Sequence, residues 1–202
     1  MSDLKKIAIF GGTFNPPHIG HSFMLKAIAN LPEIETVLVM PAKAPPHKSG
    51  EIASTEDRVN MCRLAFEGLP KTEISLDELS LEGKSYTVKT LEYLREKGIK
   101  NPVLVIGADS FINFHKWYMF EEILSLCELY VFMRGGVSKD ALLSAKENLE
   151  KIGAKITLLD ILPPEISSTE IRKSIKNGDC SGRLLDRNVL EYIKSHSLYK
   201  DE

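Results

Sequence analysis

Two histidines lie three residues apart in the segment GGTFNPPHIGHS, which spans residues 11–22. The apolar run KIAIF before it predicts a strand, and the two prolines before His18 are typical of the start of a helix. At this spacing His18 and His21 share a face of the first helical turn, where backbone N–H groups and the helix dipole favour an anion. The segment therefore predicts a strand, a loop and a phosphate-binding helix start. Residue types alone leave open that one histidine caps the turn and the other packs.

The glycines of this segment form neither of two common nucleotide-binding motifs. GGTFNPPHIG differs from the G-x-G-x-x-G dinucleotide fingerprint, and the chain contains no G-x-x-x-x-G-K-[ST] phosphate loop. Both of those nucleotide-binding classes are therefore disfavoured.

A second group of polar side chains opens the helix predicted from Pro163 onward, in the segment PPEISSTEIRKSI. Ser167 and Glu170 have the spacing of a capping box, which by itself explains a hydroxyl at a helix start. Thr169 and Arg172 are three residues apart, so hydroxyls, N–H groups and a forked guanidinium could also meet the oxygens of a polyphosphate. The spacing leaves both explanations open.

The elements that must position these residues alternate along the chain. Short apolar runs predict six strands: KIAIF, TVLVMP, TEISL, PVLVIG, ELYVFM and KITLL. Helical patterns over 55–69 and 138–152 place Val59, Cys62, Phe66 and Leu69, and then Leu142, Ala145, Leu149 and Ile152, on one face each. This alternation predicts an α/β fold with a doubly wound, mostly parallel sheet and helices on both faces. Ligands of such sheets bind at the carboxyl ends of strands, which directs attention to loops 11–21, 41–50 and 107–118.

Composition limits the classes of protein that the chain could be. Its 202 residues, 43% of them hydrophobic, predict one domain over 1–202. A net charge of -2 gives no overall basic field, so neither a nucleic acid nor a membrane is expected as a partner. Cys62, Cys127 and Cys180 lack the spacing of a disulfide framework or a zinc site, and we expect them to be reduced core residues. No signal peptide or membrane span is recognisable, which predicts a cytoplasmic protein.

The paired segments GGTFNPPHIGH and ISSTEIR closely resemble the two signatures of the nucleotidyltransferase superfamily with the His-x-Gly-His motif. Between them, PAKAPPHK, GKSYTVKTL and IGADSFINFHKWYMFEEI are similar to internal motifs of the bacterial nicotinate-nucleotide adenylyltransferase family, so the resemblance runs from Ile7 to about Ile175. Two features depart from the family pattern: Asn15 stands where aspartate is usual, and FMRGG replaces the usual Arg-Pro-Gly.

The resemblance implies a Rossmann-like nucleotidyltransferase fold and transfer of AMP from ATP to nicotinate mononucleotide, with Mg²⁺ carried by the ATP phosphates rather than by protein ligands. It implies His18, His21 and Arg172 as the catalytic residues. Asp109 would meet the ribose hydroxyls, although a carboxylate there could equally cap the following helix. The residues that the resemblance assigns to ATP are Gly11, Gly12, Thr13, Phe14, His18, His21, Gly107, Asp109, Ser168, Thr169 and Arg172.

The resemblance also assigns residues to the second substrate. Trp117, the only tryptophan, would stack on the cationic pyridinium ring, although such a residue is often simply core. Capping is the structural alternative for Ser85 and Thr87 at a predicted helix start. Solvent exposure is the alternative for Lys48, and Arg134 is similarly ambiguous. The complete set is Lys48, Ser85, Tyr86, Thr87, Trp117 and Arg134.

Three other functions remain open at this point. The chain could adenylylate nicotinamide mononucleotide or pantetheine phosphate, or it could be a nucleotide-binding regulator without catalysis. Pantetheine phosphate is a flexible aliphatic acceptor, which would not require Trp117 or the GKSYTVKTL segment. A regulator that only binds adenosine would not require His18, His21 and Arg172 together. A homo-oligomer is also left open.

Overall fold

The computed structural model describes residues 5–43, 52–133, 136–179 and 183–200. Within them, six parallel strands form one sheet in the order β3-β2-β1-β4-β5-β6. This order reverses direction between β1 and β4, and ligands of doubly wound sheets bind at such a point. The strands are β1 Lys6–Gly12, β2 Ile34–Pro41, β3 Thr72–Ile74, β4 Pro102–Gly107, β5 Glu128–Phe132 and β6 Ile156–Leu159.

All six predicted strands are confirmed, with one informative difference at the end of β1. The strand continues through Gly11 and Gly12, which pair with Met40 and Pro41 of β2. The glycines therefore do not make the turn. The left-handed backbone conformation falls one step later, on Phe14, with φ of 49°.

Helices connect the strands, as the alternation predicted. A short 3-10 turn, Phe114–Lys116, lies between α5 and α6. The helices are α1 Ile19–Ala29, α2 Thr55–Phe66, α3 Asp77–Ser80, α4 Thr87–Glu96, α5 Ala108–Ile112, α6 Phe120–Leu126, α7 Lys139–Glu150, α8 Ser168–Lys176 and α9 Arg187–Ser195.

The two helices predicted in most detail are shorter than their patterns. α2 begins after Ser54, whose hydroxyl accepts the N–H of Asp57 at 3.0 Å, and it ends at Phe66 before Gly68 takes a positive φ. α7 ends before Gly153, so Ile152 is not on its buried face and is 53% exposed. The prediction that Ile152 packs in the core is wrong because the chain has already left the helix there.

Alternate residues of the central strands pack into two cores, which confirms helices on both faces of the sheet. Ile9 and Leu104 face a core completed by α4, α5, α6 and α7, whereas Phe10 and Val105 face one completed by α1 and α2. A third cluster packs α8 and α9 against α2. That third cluster matters for the site because it brings the end of the chain back to its beginning.

Two cysteines behave as expected of reduced core residues. Cys62 and Cys127 are buried and form no disulfide, and burial raises the pKa of the Cys127 thiol to about 12. Cys180 lies outside the described residues. Among the helices that the structure describes, none has both the length and the apolar character needed to cross a membrane.

Candidate active site

A cavity of about 350 Å³ opens where the strand order reverses, at the carboxyl ends of β1, β4 and β5. Residues at the starts of α1, α5 and α8 also line it, so three helix starts meet at this cavity. The lining residues are Phe10, Gly11, His18, Gly20, His21, Met24, Val105, Gly107, Asp109, Ser110, Phe132, Met133, Pro163, Pro164, Ile166, Ser167, Ser168 and Thr169.

His18 and His21 form one stacked pair at this cavity. Their ring centroids are 3.7 Å apart with an angle of 27° between the planes. His18 is the N-cap residue of α1, so the capping explanation is correct for its position, yet both side chains also line the cavity. Gly20 packs closely against this pair, because a Cβ there would lie 3.1 Å from His18 Nδ1 and the ring would have to shift by a few tenths of an ångström.

The hydrogen bond made by His21 fixes which of its nitrogens can donate. Its Nδ1 accepts the backbone N–H of His18 at 3.2 Å, which is the reach-back half of a capping box. An accepting Nδ1 places the proton of the neutral ring on Nε2. The helix cap thus makes Nε2–H the donor of the His21 ring at this cavity.

Aromatic packing and a buried arginine stabilise the loop between β1 and α1. Phe14 is almost completely buried and packs edge-on against His21, with ring centroids 5.1 Å apart. The guanidinium of Arg58 in α2 is also buried, and its Nη1 donates to the carbonyl of Thr13 at 2.9 Å. This packing compensates for the left-handed backbone of Phe14.

Asn15 connects the same loop to two distant segments. Its Oδ1 accepts the backbone N–H of Ala53 at 3.0 Å and the hydroxyl of Tyr199 at 2.7 Å. Both contacts need an oxygen acceptor, which asparagine supplies as well as aspartate does. Asparagine at position 15, where the family pattern has aspartate, therefore still forms these two hydrogen bonds.

The start of α8 docks directly on this loop. Ser167 caps the helix by accepting the N–H of Thr169 at 3.2 Å, which confirms the capping explanation for that serine. Ser168 Oγ donates to the carbonyl of Pro16 at 2.9 Å, and Arg172 Nη1 donates to the carbonyl of Asn15 at 2.8 Å. The two segments singled out in the sequence thus form one physical unit.

At the end of β4, Gly107 occupies the N-cap position of α5, and Asp109 follows in the first turn of that helix. Asp109 is therefore not the N-cap residue of α5. A Cβ on Gly107 would meet no atom within 4 Å, so the glycine keeps this wall of the cavity open. Asp109 is exposed and lines the cavity.

A second cavity of about 560 Å³ lies beside the first, and Ser110 lines both. Three of its eight lining residues are aromatic. Trp117 packs one face against Phe114, with centroids 5.0 Å apart, and Tyr118 lies 4.7 Å from Tyr86. The lining residues are Ser85, Tyr86, Thr87, Ser110, Lys116, Trp117, Tyr118 and Ile123.

Capping does not account for the polar residues of this wall. Tyr86 is the N-cap residue of α4 and makes no side-chain capping bond, and Ser85 precedes the N-cap position. Sequence reasoning missed Tyr118 and Ser110, although each directly follows a residue that it did select.

The remaining predicted residues fall into two groups. Gly12, Thr13, Phe14 and Arg172 do not line the first cavity. Thr13 and Phe14 are buried behind it, and Arg172 reaches the loop from α8. Lys48 and Arg134 lie outside the described residues. The structure thus brings together Gly11, both histidines, Gly107, Asp109, Ser168 and Thr169 at one cavity, and Ser85, Tyr86, Thr87 and Trp117 at the other.

Comparison with known proteins agrees with this architecture. Residues 9–174 match the profile of the cytidylyltransferase-like family. A Clostridium botulinum protein named "Probable nicotinate-nucleotide adenylyltransferase" is 36% identical over 201 residues, which cover 98% of this chain and 100% of the relative. A Clostridium acetobutylicum protein of the same name is 39% identical over 200 residues, covering 97% and 100%.

A solved structure supports the fold. The nicotinic acid mononucleotide adenylyltransferase of Plasmodium falciparum, complexed with NaAD, superposes with a TM-score of 0.78 at 23% identity, covering 96% of this chain and 97% of that one. The chain therefore belongs to the cytidylyltransferase-like family and, within it, groups with the nicotinate-nucleotide adenylyltransferases.

Proposed function

We propose that the chain transfers AMP from ATP to nicotinate mononucleotide, giving nicotinate adenine dinucleotide and pyrophosphate. The observation that carries the proposal is the pair of adjoining cavities that share Ser110. One cavity is lined by the stacked histidines and by three helix starts, which can stabilise the negative charge of a polyphosphate. The other is lined by aromatic rings, as a planar acceptor base requires.

The reaction needs positioning and charge stabilisation rather than a general base. The phosphate monoester of the acceptor is already largely dianionic near neutral pH, because its second pKa is about 6. One of its oxygens attacks the α-phosphorus of ATP in line, the bond from that phosphorus to the bridging oxygen breaks, and pyrophosphate leaves with the electron pair. His21 stabilises the charge on the transferring phosphoryl group through its Nε2–H.

The helix start of α8 holds the leaving pyrophosphate in this proposal. Ser168 and Thr169 bring hydroxyls and N–H groups to the cavity wall. Arg172 acts beside them, with one guanidinium nitrogen on the carbonyl of Asn15 and another 3.5 Å from Thr169 Oγ1. Because the same guanidinium contacts both segments, the groups on α1 and α8 keep a fixed spacing.

Asp109 meets the ribose hydroxyls of ATP at the opposite wall. It lies just past the end of β4, in the first turn of α5, and its carboxylate accepts from hydroxyl donors. Gly107 beside it leaves room for the sugar.

The acceptor nucleotide occupies the aromatic cavity. The cationic pyridinium ring stacks on the exposed face of Trp117, whose other face is supported by Phe114. The nicotinate carboxylate meets the N–H groups at the start of α4, where Thr87 is the first helical residue. Lys48 and Arg134 are proposed to reach the acceptor from outside the described residues.

Mg²⁺ enters the reaction as part of the nucleotide substrate. Within the described ranges, no group of three or more His, Cys, Asp or Glu side chains could hold a metal ion. Apart from the carboxylate of Asp109, the polar groups at the first cavity are histidines, hydroxyls and N–H groups, which suit phosphate oxygens. Bound to ATP, Mg²⁺ would neutralise part of the phosphate charge during transfer.

Pyrophosphate release from ATP and Mg²⁺, measured with each candidate acceptor, tests the proposal. We expect release with nicotinate mononucleotide and little with pantetheine phosphate. Release with pantetheine phosphate but with neither pyridine nucleotide would overturn the assignment of the acceptor. Binding of ATP with no release from any acceptor would favour a nucleotide-binding regulator.

A further inference from the structure

Arg58 of α2 is charged, yet it is among the most deeply buried side chains of the described residues, with 1% exposed. Its guanidinium donates to three acceptors: the Thr13 carbonyl at 2.9 Å, the Ala53 carbonyl at 3.2 Å and Thr55 Oγ1 at 3.1 Å. All three acceptors are uncharged, and no carboxylate within the described ranges forms an ion pair with Arg58. Because a charge held out of water costs free energy, this placement calls for a physical reason.

The guanidinium joins the segment before α2 to loop 13–15. The peptide group of Ala53 is bonded on both sides, since its carbonyl accepts from Arg58 Nε and its N–H donates to Asn15 Oδ1 at 3.0 Å. A guanidinium presents its N–H groups in a rigid planar fork, so it holds the carbonyls of Thr13 and Ala53 at a set separation. An ammonium is a compact donor on a flexible stem and imposes no such separation.

Two arginines hold the carbonyl groups on either side of Phe14. Arg58 donates to the carbonyl of Thr13, and Arg172 of α8 donates to the carbonyl of Asn15 at 2.8 Å. Phe14 lies between them with a φ of 49°, a conformation that a phenylalanine rarely adopts without support from its surroundings. The two helices that carry these guanidinium groups belong to one packed cluster. The left-handed residue is therefore held from both neighbours.

The ring of Phe14 connects this held backbone to His21. It packs against Phe10, Phe66 and His21, with centroid distances of 5.9, 5.8 and 5.1 Å. A Cβ on Gly12 would lie 2.9 Å from Phe14 Cζ, so the ring lies directly over that glycine. A change in the backbone of Phe14 would therefore move a ring that contacts His21 edge-on.

We propose that Arg58 is a positioning residue for the transfer reaction. By holding the carbonyl of Thr13 it keeps Phe14 in its left-handed conformation, and through the Phe14 ring it keeps His21 in place. Arg58 lines neither cavity, so its effect on the reaction is indirect. The inference rests on the proposed function, because it assumes that His21 acts on the phosphates of ATP.

The test is a double-variant cycle of Arg58→Lys and His21→Ala. The lysine keeps the charge and removes the fork. Arg63→Lys is the matched control, because it makes the same change at an exposed position of the same helix. For each protein, kcat and KM for ATP and for nicotinate mononucleotide are measured by pyrophosphate release, at a temperature well below the lowest Tm of the set.

We expect Arg58→Lys to lower kcat by about ten- to a hundredfold, the usual scale for a catalytic group that is misplaced. Both KM values should stay within about threefold of the wild type, because the lost interaction belongs to the transition state. In the His21→Ala background the same change should lower kcat by less than about threefold, since the group that it positions is already absent. Arg63→Lys should behave as the wild type does.

A milder pair of variants keeps the proposal testable if Arg58→Lys does not fold. Thr55→Val removes the acceptor of Arg58 Nη2, whereas Thr55→Ser retains a hydroxyl there. Thr55→Val should lower kcat by about two- to tenfold, the scale of one hydrogen bond, and Thr55→Ser should restore the wild-type value. Equal kcat values in the two variants would contradict the role of the fork.

The ring signals of His21 test the positioning step without turnover. Proton–nitrogen correlation spectra of the ligand-free proteins report the position and tautomer of each imidazole ring, and the His21 signals are those missing from His21→Ala. We expect Arg58→Lys to shift these signals and Arg63→Lys to leave them unchanged.

Three results would overturn the inference. The first is a wild-type kcat in Arg58→Lys. The second is an equal loss of kcat with and without His21, which would show that Arg58 acts by another route. The third is a set of His21 ring signals that Arg58→Lys does not shift. A wild-type enzyme that releases pyrophosphate with no acceptor would instead refute the proposed function, and the ring signals would still decide whether Arg58 positions His21.

Discussion

Arg172 donates a 2.8 Å hydrogen bond to the backbone carbonyl of Asn15, a residue 157 positions earlier in the chain. The contact joins the helix start of α8 to the loop that precedes the histidine pair. Ser168 reinforces it with a bond to the carbonyl of Pro16 at 2.9 Å. These two hydrogen bonds therefore hold the start of α8 against the loop that leads into α1.

Replacing Arg172 with lysine should lower kcat/KM by about ten- to a hundredfold, because an ammonium cannot contact the Asn15 carbonyl and a phosphate with the fork of a guanidinium. Steady-state kinetics of pyrophosphate release measure the effect. Lys173→Ala is the control, since Lys173 is the exposed neighbour on the same helix. Equal activity in Arg172→Lys and the wild type would show that the fork is not needed.

His21→Ala should lower kcat by about 10²–10³-fold, the usual loss for one preorganised transition-state donor. His21→Gln is an informative partner, because glutamine at this position can still accept the His18 N–H and carries an amide donor. We expect the glutamine variant to keep the Tm of the wild type and to recover part of the activity. If His21→Ala retains full turnover, the histidine serves only to cap the helix.

Asn15→Ala should lower the free energy of unfolding by about 1–3 kcal/mol, because the N–H of Ala53 and the hydroxyl of Tyr199 both lose their acceptor. Asn15→Asp should keep both bonds and most of the activity. Tyr199→Phe removes one of the two donors and should lie between the alanine variant and the wild type. Denaturant unfolding measures all three, and wild-type stability in Asn15→Ala would contradict the assigned role.

The fluorescence of Trp117 should be quenched when nicotinate mononucleotide binds, since this is the only tryptophan and one face lines the acceptor cavity. A titration at constant protein concentration follows the effect. ATP is the control, and it should change the emission less because its cavity does not include Trp117. Unchanged emission at saturating acceptor would make Trp117 a core residue only.

The enzyme should prefer nicotinate mononucleotide over its amide by about ten- to two-hundredfold in kcat/KM, the usual effect of one mispaired buried polar group. At the start of α4 the N–H groups of Thr87 and Val88 donate, so a carboxylate is matched there while an amide presents its own N–H₂. Competition between the two acceptors measures the ratio directly. Equal kcat/KM values would indicate dual specificity.

Strong local patterns account for what the sequence predicted well. Continuous Val and Ile runs identify buried parallel strands regardless of their partners, so all six strands were found. The segments with the paired histidines and with Ser-Ser-Thr were found because the groups that bind an anion at a helix start are close together in the sequence. Asp109 and Trp117 came from resemblance, and the structure places both at cavity walls.

Long-range contacts explain what the sequence did not predict. Nothing near Glu78 indicates that it accepts a hydrogen bond from Thr90 Oγ1, because their proximity depends on how α3 packs beside α4. The turn after β1 falls on Phe14 rather than on the glycines, since burial of that ring stabilises a backbone that local preference disfavours. Tyr199 reaches Asn15 only through the packing of α9 on α2.

The hydrogen bond between Asn15 and Tyr199 also has a consequence for biosynthesis. A ribosome adds about 5–20 residues per second, so the 184 positions that separate the two residues take roughly 10–40 s to translate. During that interval the first motif exists without the C-terminal hydroxyl that holds it. The nascent chain can therefore acquire its full catalytic geometry only late in synthesis, and a premature stop between residues 173 and 199 would release a protein that carries both motifs without this support.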